Sequence, residues 1–188
     1  MSKILVDTID TRSGTSNITI GSSNASQITL KSGATLTNFP KNSPTFLAYS
    51  ASNQSCSNAT NTLVNIDTEL FDIGGNFDTS AKRFTVTEAG YYFIFYQYRW
   101  ETATDFDDQK VWVSYNSSTY TSDNIISTWG ANHYYTKMGS YQTRLLAVGD
   151  TLDLYAYQNS GGSKNLAGGD DFGLNTTFGA YKLITWAH

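Results

Sequence analysis

The twelve residues from Ala89 to Trp100, AGYYFIFYQYRW, constrain the fold more than any other part of the chain. Nine of them are aromatic or aliphatic, and the only glycine stands near the start. Such a dense run of Tyr, Phe and Ile favours a well-buried β-strand, although a buried helix of the same length gives a similar pattern. The flanking segments Arg83–Val86 (RFTV) and Val111–Tyr115 (VWVSY) are typical of strands. We therefore expect a domain of strands stacked around this one.

Alternating apolar and polar residues between turn signals predict further short strands on both sides of this stretch. The strand-like segments are Thr45–Ser50, Leu63–Ile66, Glu69–Ile73, Arg83–Val86, Lys110–Tyr115, Asn124–Trp129, Gly139–Ala147, Leu152–Tyr157 and Thr177–Thr185. No segment shows the period of an amphipathic helix, and a glycine-rich loop is expected over Asn159–Asp171. Eight to ten short strands with polar turns predict an all-β fold, an antiparallel two-sheet sandwich of the jelly-roll type.

Residues 1–40 differ from the rest, because they are rich in Ser, Thr, Asn and Gly and nearly free of aromatic residues. The triplet Ile18–Ile20 (ITI) is echoed ten residues later by Ile28–Leu30 (ITL). Such short strands bury little apolar surface in one chain, so several chains wound about a common axis would form a stalk. The same composition is also typical of a disordered linker. The chain's two prolines bracket the boundary, which predicts a stalk or attachment segment over residues 1–40 and a globular domain over 41–188.

Charge and composition exclude several classes of function. The net charge is −4, only 15% of the residues are charged and Lys and Arg form no run, so we expect no nucleic-acid partner. No apolar segment approaches the roughly 18 residues that span a bilayer, which predicts no membrane insertion.

Cys56, in a Ser-rich segment expected to form a turn, is the only cysteine, so the fold needs no intrachain disulfide. Met1 is not followed by an apolar signal-peptide core, which predicts synthesis in a cytoplasm.

Residues with catalytic or metal-binding chemistry are sparse. The histidines His133 and His188 lie in a polar loop and at the end of the chain, and motifs for a serine nucleophile or for phosphate binding are missing. We therefore predict that the protein is not an enzyme and has no cofactor. Candidates for Ca²⁺ ligands are five loop aspartates, Asp105, Asp107, Asp108, Asp170 and Asp171. Their spacing does not match an EF-hand loop, and solvated turn carboxylates are the alternative interpretation.

Several segments of the domain resemble, in order, the globular head domain of the q subunit of complement component one, a relative of the tumour necrosis factor fold. The matching segments are PTFLAYS (44–50), FDIGGNFD (71–78), RFTVTEAGYYFI (83–94), LLAVGDTLDLYAYQNSGG (145–162) and TFGAYKLI (177–184). The resemblance covers about residues 44–185 and implies a ten-stranded jelly roll that assembles as a homotrimer. The Gly-X-Y stalk of animal members is missing, which argues against an immune role.

The aromatic residues supply a physical reason for such a trimer. Both alternate sets of the central stretch are bulky, so one set faces the core while the other either packs on neighbouring copies or lies under a loop. The trimer-interface candidates are Tyr92, Tyr96, Tyr98, Tyr141, Tyr155, Tyr157, Phe178 and Tyr181. Candidates for a ligand surface are loop aromatics that either stack on a ligand or pack inward, namely Trp129, Tyr134 and Tyr135.

The segments SKILVDTIDTRSGTSNITIG and ITLKSGATL of residues 1–40 are similar to leader segments of fibre and structural proteins of marine bacteriophages. Together the two resemblances imply a trimeric virion structural protein, a fibre-associated or receptor-binding knob that adheres to the host multivalently. The expected partners are two further copies of the chain, other virion proteins through residues 1–40, and a glycan or protein of the host surface. The alternatives are a capsid-decorating or head-fibre trimer without a receptor role and a cellular lectin-like binding module.

Overall fold

A computed structural model of the chain describes residues 42–101, 108–118, 125–128, 136–169 and 173–184, with the backbone alone for 125–128. The chain divides into two units, Met1–Phe39 and Pro40–His188. The predicted stalk over residues 1–40 lies outside the described residues and stays a prediction.

The described part of the second unit contains thirteen β-strands and no helix, so the all-β prediction is confirmed. The strands are β1 (Thr45–Tyr49), β2 (Gln54–Cys56), β3 (Thr62–Leu63), β4 (Thr68–Ile73), β5 (Phe77–Asp78), β6 (Arg83–Thr85), β7 (Gly90–Tyr98), β8 (Asp108–Tyr115), β9 (Ile125–Thr128), β10 (Met138–Leu146), β11 (Thr151–Asn159), β12 (Lys164–Leu166) and β13 (Thr177–Lys182).

The strands form two main antiparallel sheets that face each other. A five-stranded sheet has the order β10-β7-β13-β1-β4. A six-stranded sheet follows the path β5-β6-β11-β8-β9, with β3 also paired to β11, and β12 and β2 form a separate two-stranded ribbon. Strands distant in sequence lie side by side in both sheets, which is the arrangement of a jelly-roll sandwich and confirms the predicted architecture.

The stretch that dominates the sequence forms β7, and the competing helical interpretation is wrong. β7 lies between β10 and β13, where Phe95 pairs with Tyr141 on one side and Gly179 on the other. Its side chains alternate between the two faces of the sheet as a pleated strand requires. The four that point between the sheets and are fully or almost fully buried are Tyr92, Ile94, Tyr96 and Tyr98.

Aromatic rings fill the space between the two sheets. Phe46 of β1 stacks between Phe77 and Phe84 of the opposite sheet, with its ring centroid 4.7 Å from each. Phe178 of β13 meets Phe46 edge-on at 5.1 Å. These offset and edge-on arrangements suit the aromatic quadrupole and add to the gain from apolar burial. The sandwich core is therefore built mainly from rings supplied by both sheets.

Two tyrosines of this core have hydroxyl groups that bind main-chain carbonyls. Tyr92 Oη donates to the carbonyl oxygen of Glu88 at 2.7 Å, and Tyr96 Oη donates to that of Val111 at 2.6 Å. Burial raises the pKa of Tyr92 to about 12, and the nearby Glu88 carboxylate adds to the rise. Because the hydroxyls have partners inside the protomer, tyrosine can serve here as a core residue.

The alternation pattern does not predict three of the strands, β2, β5 and β12. Each has only two or three residues, which is too short for a two-residue period to show. β12 lies within Asn159–Asp171, which the sequence assigns to a loop, and it pairs with β2. Cys56 ends β2, so the expected Ser-rich turn at this position is wrong. The Cys56 side chain is fully buried, and that burial raises the pKa of its thiol to about 11.

The outward side of the six-stranded sheet carries an ion pair between β6 and β11. Arg83 Nε and Nη2 each donate to a different carboxylate oxygen of Asp153, both at 2.7 Å. Nη2 also donates to Ser117 Oγ at 2.9 Å. The Asp153 side chain is only 1% exposed, whereas that of Arg83 is 37% exposed. If the pair were broken, the Arg83 guanidinium could therefore still be hydrated, whereas the Asp153 carboxylate could not.

Breaking this pair should cost more when the arginine is removed than when the aspartate is changed. Arg83→Met leaves a buried carboxylate unpaired and should lower the free energy of unfolding by about 3 kcal/mol. Asp153→Asn keeps an acceptor for a guanidinium that also meets solvent, so its cost should be about 1 kcal/mol. Urea unfolding at one fixed protein concentration, followed by tryptophan fluorescence, measures both. Equal losses of unfolding free energy, or a larger loss in Asp153→Asn, would contradict the conclusion that the buried Asp153 carboxylate depends on Arg83.

Candidate self-association face

The outward side of the five-stranded sheet is the candidate functional surface, and we call its outward-pointing residues the aromatic face. The strand register aligns these residues in rows across the sheet. One row runs from β10 to β4 through Tyr141, Phe95, Gly179, Leu47 and Phe71. The next row runs through Thr143, Phe93, Tyr181, Thr45 and Ile73. Apolar side chains thus extend over the full width of the sheet.

Much of the aromatic face is open to solvent. The exposed fractions are 72% for Tyr141, 62% for Leu145, 58% for Ile73, 48% for Tyr91 and 45% for Phe71. Single exposed apolar residues are ordinary on a protein surface. A contiguous set is not, and it marks a surface that binds a partner.

The rings of the aromatic face pack against one another. Phe93 stacks on Tyr141 with centroids 5.6 Å apart, and it also contacts Tyr181 at 5.3 Å and Phe95 at 6.0 Å. A Cβ atom at Gly179 would lie 2.5 Å from Cζ of Phe95, so the missing side chain lets the Phe95 ring lie over β13. The aromatic face is therefore a packed surface whose shape is set within one protomer.

In the described strands, neither of the two rows contains a charged residue. The adjacent outward-pointing positions of β7 and β13 carry no charged side chain either. Gln97, the polar residue next along β7 from Phe95, donates through Nε2 to the carbonyl oxygen of Leu174 at 2.8 Å. Lys137 borders the face just before β10, and its Nζ donates to the same carbonyl at 3.0 Å. A partner can therefore cover most of this surface without removing water from an ion, which keeps the cost of its burial low.

The structure corrects half of the predicted trimer-interface residues. Tyr92, Tyr96, Tyr98 and Phe178 are wrong as interface candidates, because they point between the two sheets and lie in the core of one protomer. The protomer buries more aromatic rings than the sequence pattern predicts, since main-chain carbonyls accept hydrogen bonds from two of the tyrosine hydroxyls. The other alternate set of β7 faces outward instead.

The remaining interface candidates lie on two different sheets. Tyr141 and Tyr181 belong to the aromatic face. Tyr155 and Tyr157 lie on the outward side of the six-stranded sheet, where Tyr155 stacks on the buried Trp112 with centroids 5.8 Å apart. Of these four tyrosines, therefore, only Tyr141 and Tyr181 lie on the aromatic face.

Several aromatic-face residues are missing from the sequence-based candidates. The most exposed of them are Phe71, Ile73 and Leu145. Each of these residues belongs to the apolar set that alternates along a predicted strand. This alternation is the signal that could have identified them. The pattern alone could not show that their side lies on the same surface as β7, because that depends on the pairing of β1 with β4 and of β7 with β10.

The other predicted sites are largely outside the described residues. This holds for the ligand-surface candidates Trp129, Tyr134 and Tyr135, and for both histidines. Of the five calcium candidates only Asp108 is described, and it forms an ion pair with Lys110. In the part of the chain that the structure covers, no three His, Cys, Asp or Glu residues come close enough to hold a metal ion. Calcium binding thus stays a prediction.

The described residues also contain no helix with the length and apolar character needed to cross a bilayer.

Comparison with known proteins finds likeness in structure alone. No protein-family model matches the chain, and no curated protein matches its sequence. Murine APRIL at pH 5.0 superposes with a TM-score of 0.55 at 16% identity, over 74% of this chain and 98% of the APRIL chain. The globular domain of zebrafish complement 1qA protein superposes with a TM-score of 0.50 at 14% identity, over 77% of this chain and 99% of that one. The described domain is thus a jelly roll of the tumour necrosis factor and complement q type.

Proposed function

We propose that the protein is a homotrimeric binding module whose copies associate through the aromatic face. The observation that carries the proposal is the contiguous apolar surface of the five-stranded sheet, which is open to solvent at both edges and whose two described rows contain no charged residue. The proposed number of copies, three, comes from the resemblance to complement q head domains. A closed three-fold ring uses two different surfaces of each copy. We assign one to the edge strand β10, which carries Tyr141 and Leu145, and the other to the rest of the aromatic face.

Apolar burial is the driving force in this assembly. Removing apolar surface from water contributes about 25 cal/mol per Å². Because the aromatic face has no charged side chain in its rows, salt has little electrostatic attraction to screen. Association should therefore be nearly independent of ionic strength.

In its biological role, we propose, the trimer is a virion structural protein of a bacteriophage, a fibre-associated or receptor-binding knob. The similarity of residues 1–40 to phage leader segments supports this role. Residues 1–40 would contact other virion proteins, and the jelly roll would face the host surface after synthesis in the host cytoplasm. Three identical sites on one knob raise avidity without any new contact, so adhesion needs no strong single site and no catalysis.

A charge placed in the aromatic face should separate the copies. The full chain at micromolar concentration should sediment at about 62 kDa, three times its mass of 20.7 kDa, in both low and high salt. Tyr141→Lys should sediment as one chain, because a partner would have to bury an unpaired ammonium group. The Tyr141 side chain points away from the core, so circular dichroism should show an intact β-fold.

Ser57→Lys is the matched control for this experiment, since it adds the same charge at an exposed position outside the five-stranded sheet. It should remain trimeric. A monomeric wild type, or a Tyr141→Lys variant that stays trimeric, would contradict the proposed interface.

The adhesion role predicts binding to whole cells that depends on the trimer. Fluorescently labelled full chain should stain a subset of strains in a panel of marine bacteria. The Tyr141→Lys variant should stain the same strains at least about tenfold more weakly, because it has lost multivalency. Flow cytometry measures both. A trimer that stains no strain would contradict adhesion and favour the capsid-decoration alternative.

A further inference from the structure

A cluster of three polar side chains lies at the end of the domain opposite to the start of β1, and we call it the amide cluster. Asn53 lies between β1 and β2, Glu101 follows β7, and Asn165 belongs to β12. β1 and β7 both run towards this end, since each pairs near its own last residue with Thr177 at the start of β13. The amide cluster thus joins three distant parts of the sequence, and none of its members belongs to the aromatic face.

Hydrogen bonds hold the three side chains in fixed positions. Oε1 of Glu101 accepts from Nδ2 of Asn53, and Oε2 accepts from Nδ2 of Asn165 at 3.1 Å. The main-chain nitrogen of Glu101 donates to the carbonyl oxygen of Asn165 at 2.9 Å. Because these bonds exist in the protomer itself, a ligand would bind without ordering the side chains, which lowers the entropic cost of binding.

Gly168 supports the amide cluster from below. Its main-chain nitrogen donates to Oδ1 of Asn53 at 2.9 Å, and its carbonyl oxygen accepts from Nδ2 of the fully buried Asn175 at 2.6 Å. A Cβ atom at Gly168 would lie 2.3 Å from the carbonyl carbon of Ser52, so only glycine allows this close approach. The orientation of Asn53 is therefore set by buried main chain.

The amide cluster has hydrogen-bonding capacity that its internal contacts leave open. Asn53 is exposed, and Glu101 and Asn165 are half-buried. A carboxylate offers about four lone-pair positions and a primary amide two N–H groups. The internal bonds use two of those lone pairs and one N–H of each asparagine. Oδ1 of Asn165 accepts no hydrogen bond from the described residues. Acceptors and donors thus lie side by side.

This mixture of open groups selects the chemistry of a ligand. A hydroxyl group both donates and accepts, so neighbouring hydroxyls can satisfy donors and acceptors together. A cationic group would leave the amide N–H groups without acceptors, and an anionic group would face the Glu101 carboxylate. We propose that the amide cluster binds a neutral sugar through two neighbouring hydroxyls, one donating to Glu101 and the other to Oδ1 of Asn165.

This ligand class rests on the proposed role of the protein as a binding module, and it names what the module recognises on the host surface. Binding at one site does not need the trimer, because all three side chains belong to one protomer. In the trimer, three such sites would raise the avidity for a surface that displays many copies of the sugar.

Saturation-transfer NMR of the full chain with D-glucose, D-galactose and D-mannose tests the proposal. These sugars present different arrangements of neighbouring hydroxyls, and at least one should give a signal that saturates on titration. The amino sugar and the uronic acid that correspond to the best binder should each bind at least about fivefold more weakly. The proposal is overturned if none of the three neutral sugars binds saturably, or if either charged counterpart binds as tightly as the neutral sugar.

Variants place the binding at the amide cluster. Glu101→Gln should weaken the best binder about tenfold, because it removes a charged acceptor, and Asn165→Ala should weaken it about fivefold. The matched controls Glu88→Gln and Asn61→Ala change exposed residues outside the cluster and should leave the affinity unchanged. Thermal melting checks that each variant is folded. Unchanged affinity in folded Glu101→Gln, or an equal loss in the controls, would overturn the assignment.

Sedimentation of the same samples separates this site from the assembly. A trimer that binds none of the sugars overturns the sugar site alone. A monomer that binds a neutral sugar and loses it in Glu101→Gln supports the sugar site and contradicts the proposed trimer.

Discussion

The fold depends on the register of β7, a strand that is bulky on both of its faces. A slip of one residue would exchange its inner and outer sets, and hydrophobicity alone would oppose this weakly because both sets are apolar. Two specific interactions oppose it instead. The hydroxyls of Tyr92 and Tyr96 bind main-chain carbonyls on the inner side, and phenylalanine offers no such group. On the outer side Phe95 lies beside Gly179, where a side chain would collide with its ring.

The dependence of β7 on specific partners explains which parts of the structure could be predicted from the sequence. Alternation is a local property, so the sequence predicts β7, β8, β10 and the sandwich class. Which set of β7 side chains points inward depends on partners that are distant in the chain. One such partner is Val111 on the opposite sheet, whose carbonyl oxygen accepts a hydrogen bond from the Tyr96 hydroxyl. The interface candidates Tyr92, Tyr96 and Tyr98 fail for this reason, whereas Tyr141 and Tyr181 reach the outer face.

The short strands and loops show the same limit on a smaller scale. β2 and β12 pair with each other, and neither has an alternation pattern of its own. Loop amides complete the connections that hold this region. Asn53 Oδ1 accepts from the main-chain nitrogen of Gly168, and Asn58 Oδ1 accepts from those of Ser160 and Gly161. Composition predicts polar loops at these positions, but long-range pairing of single amides leaves no periodic signal in the sequence.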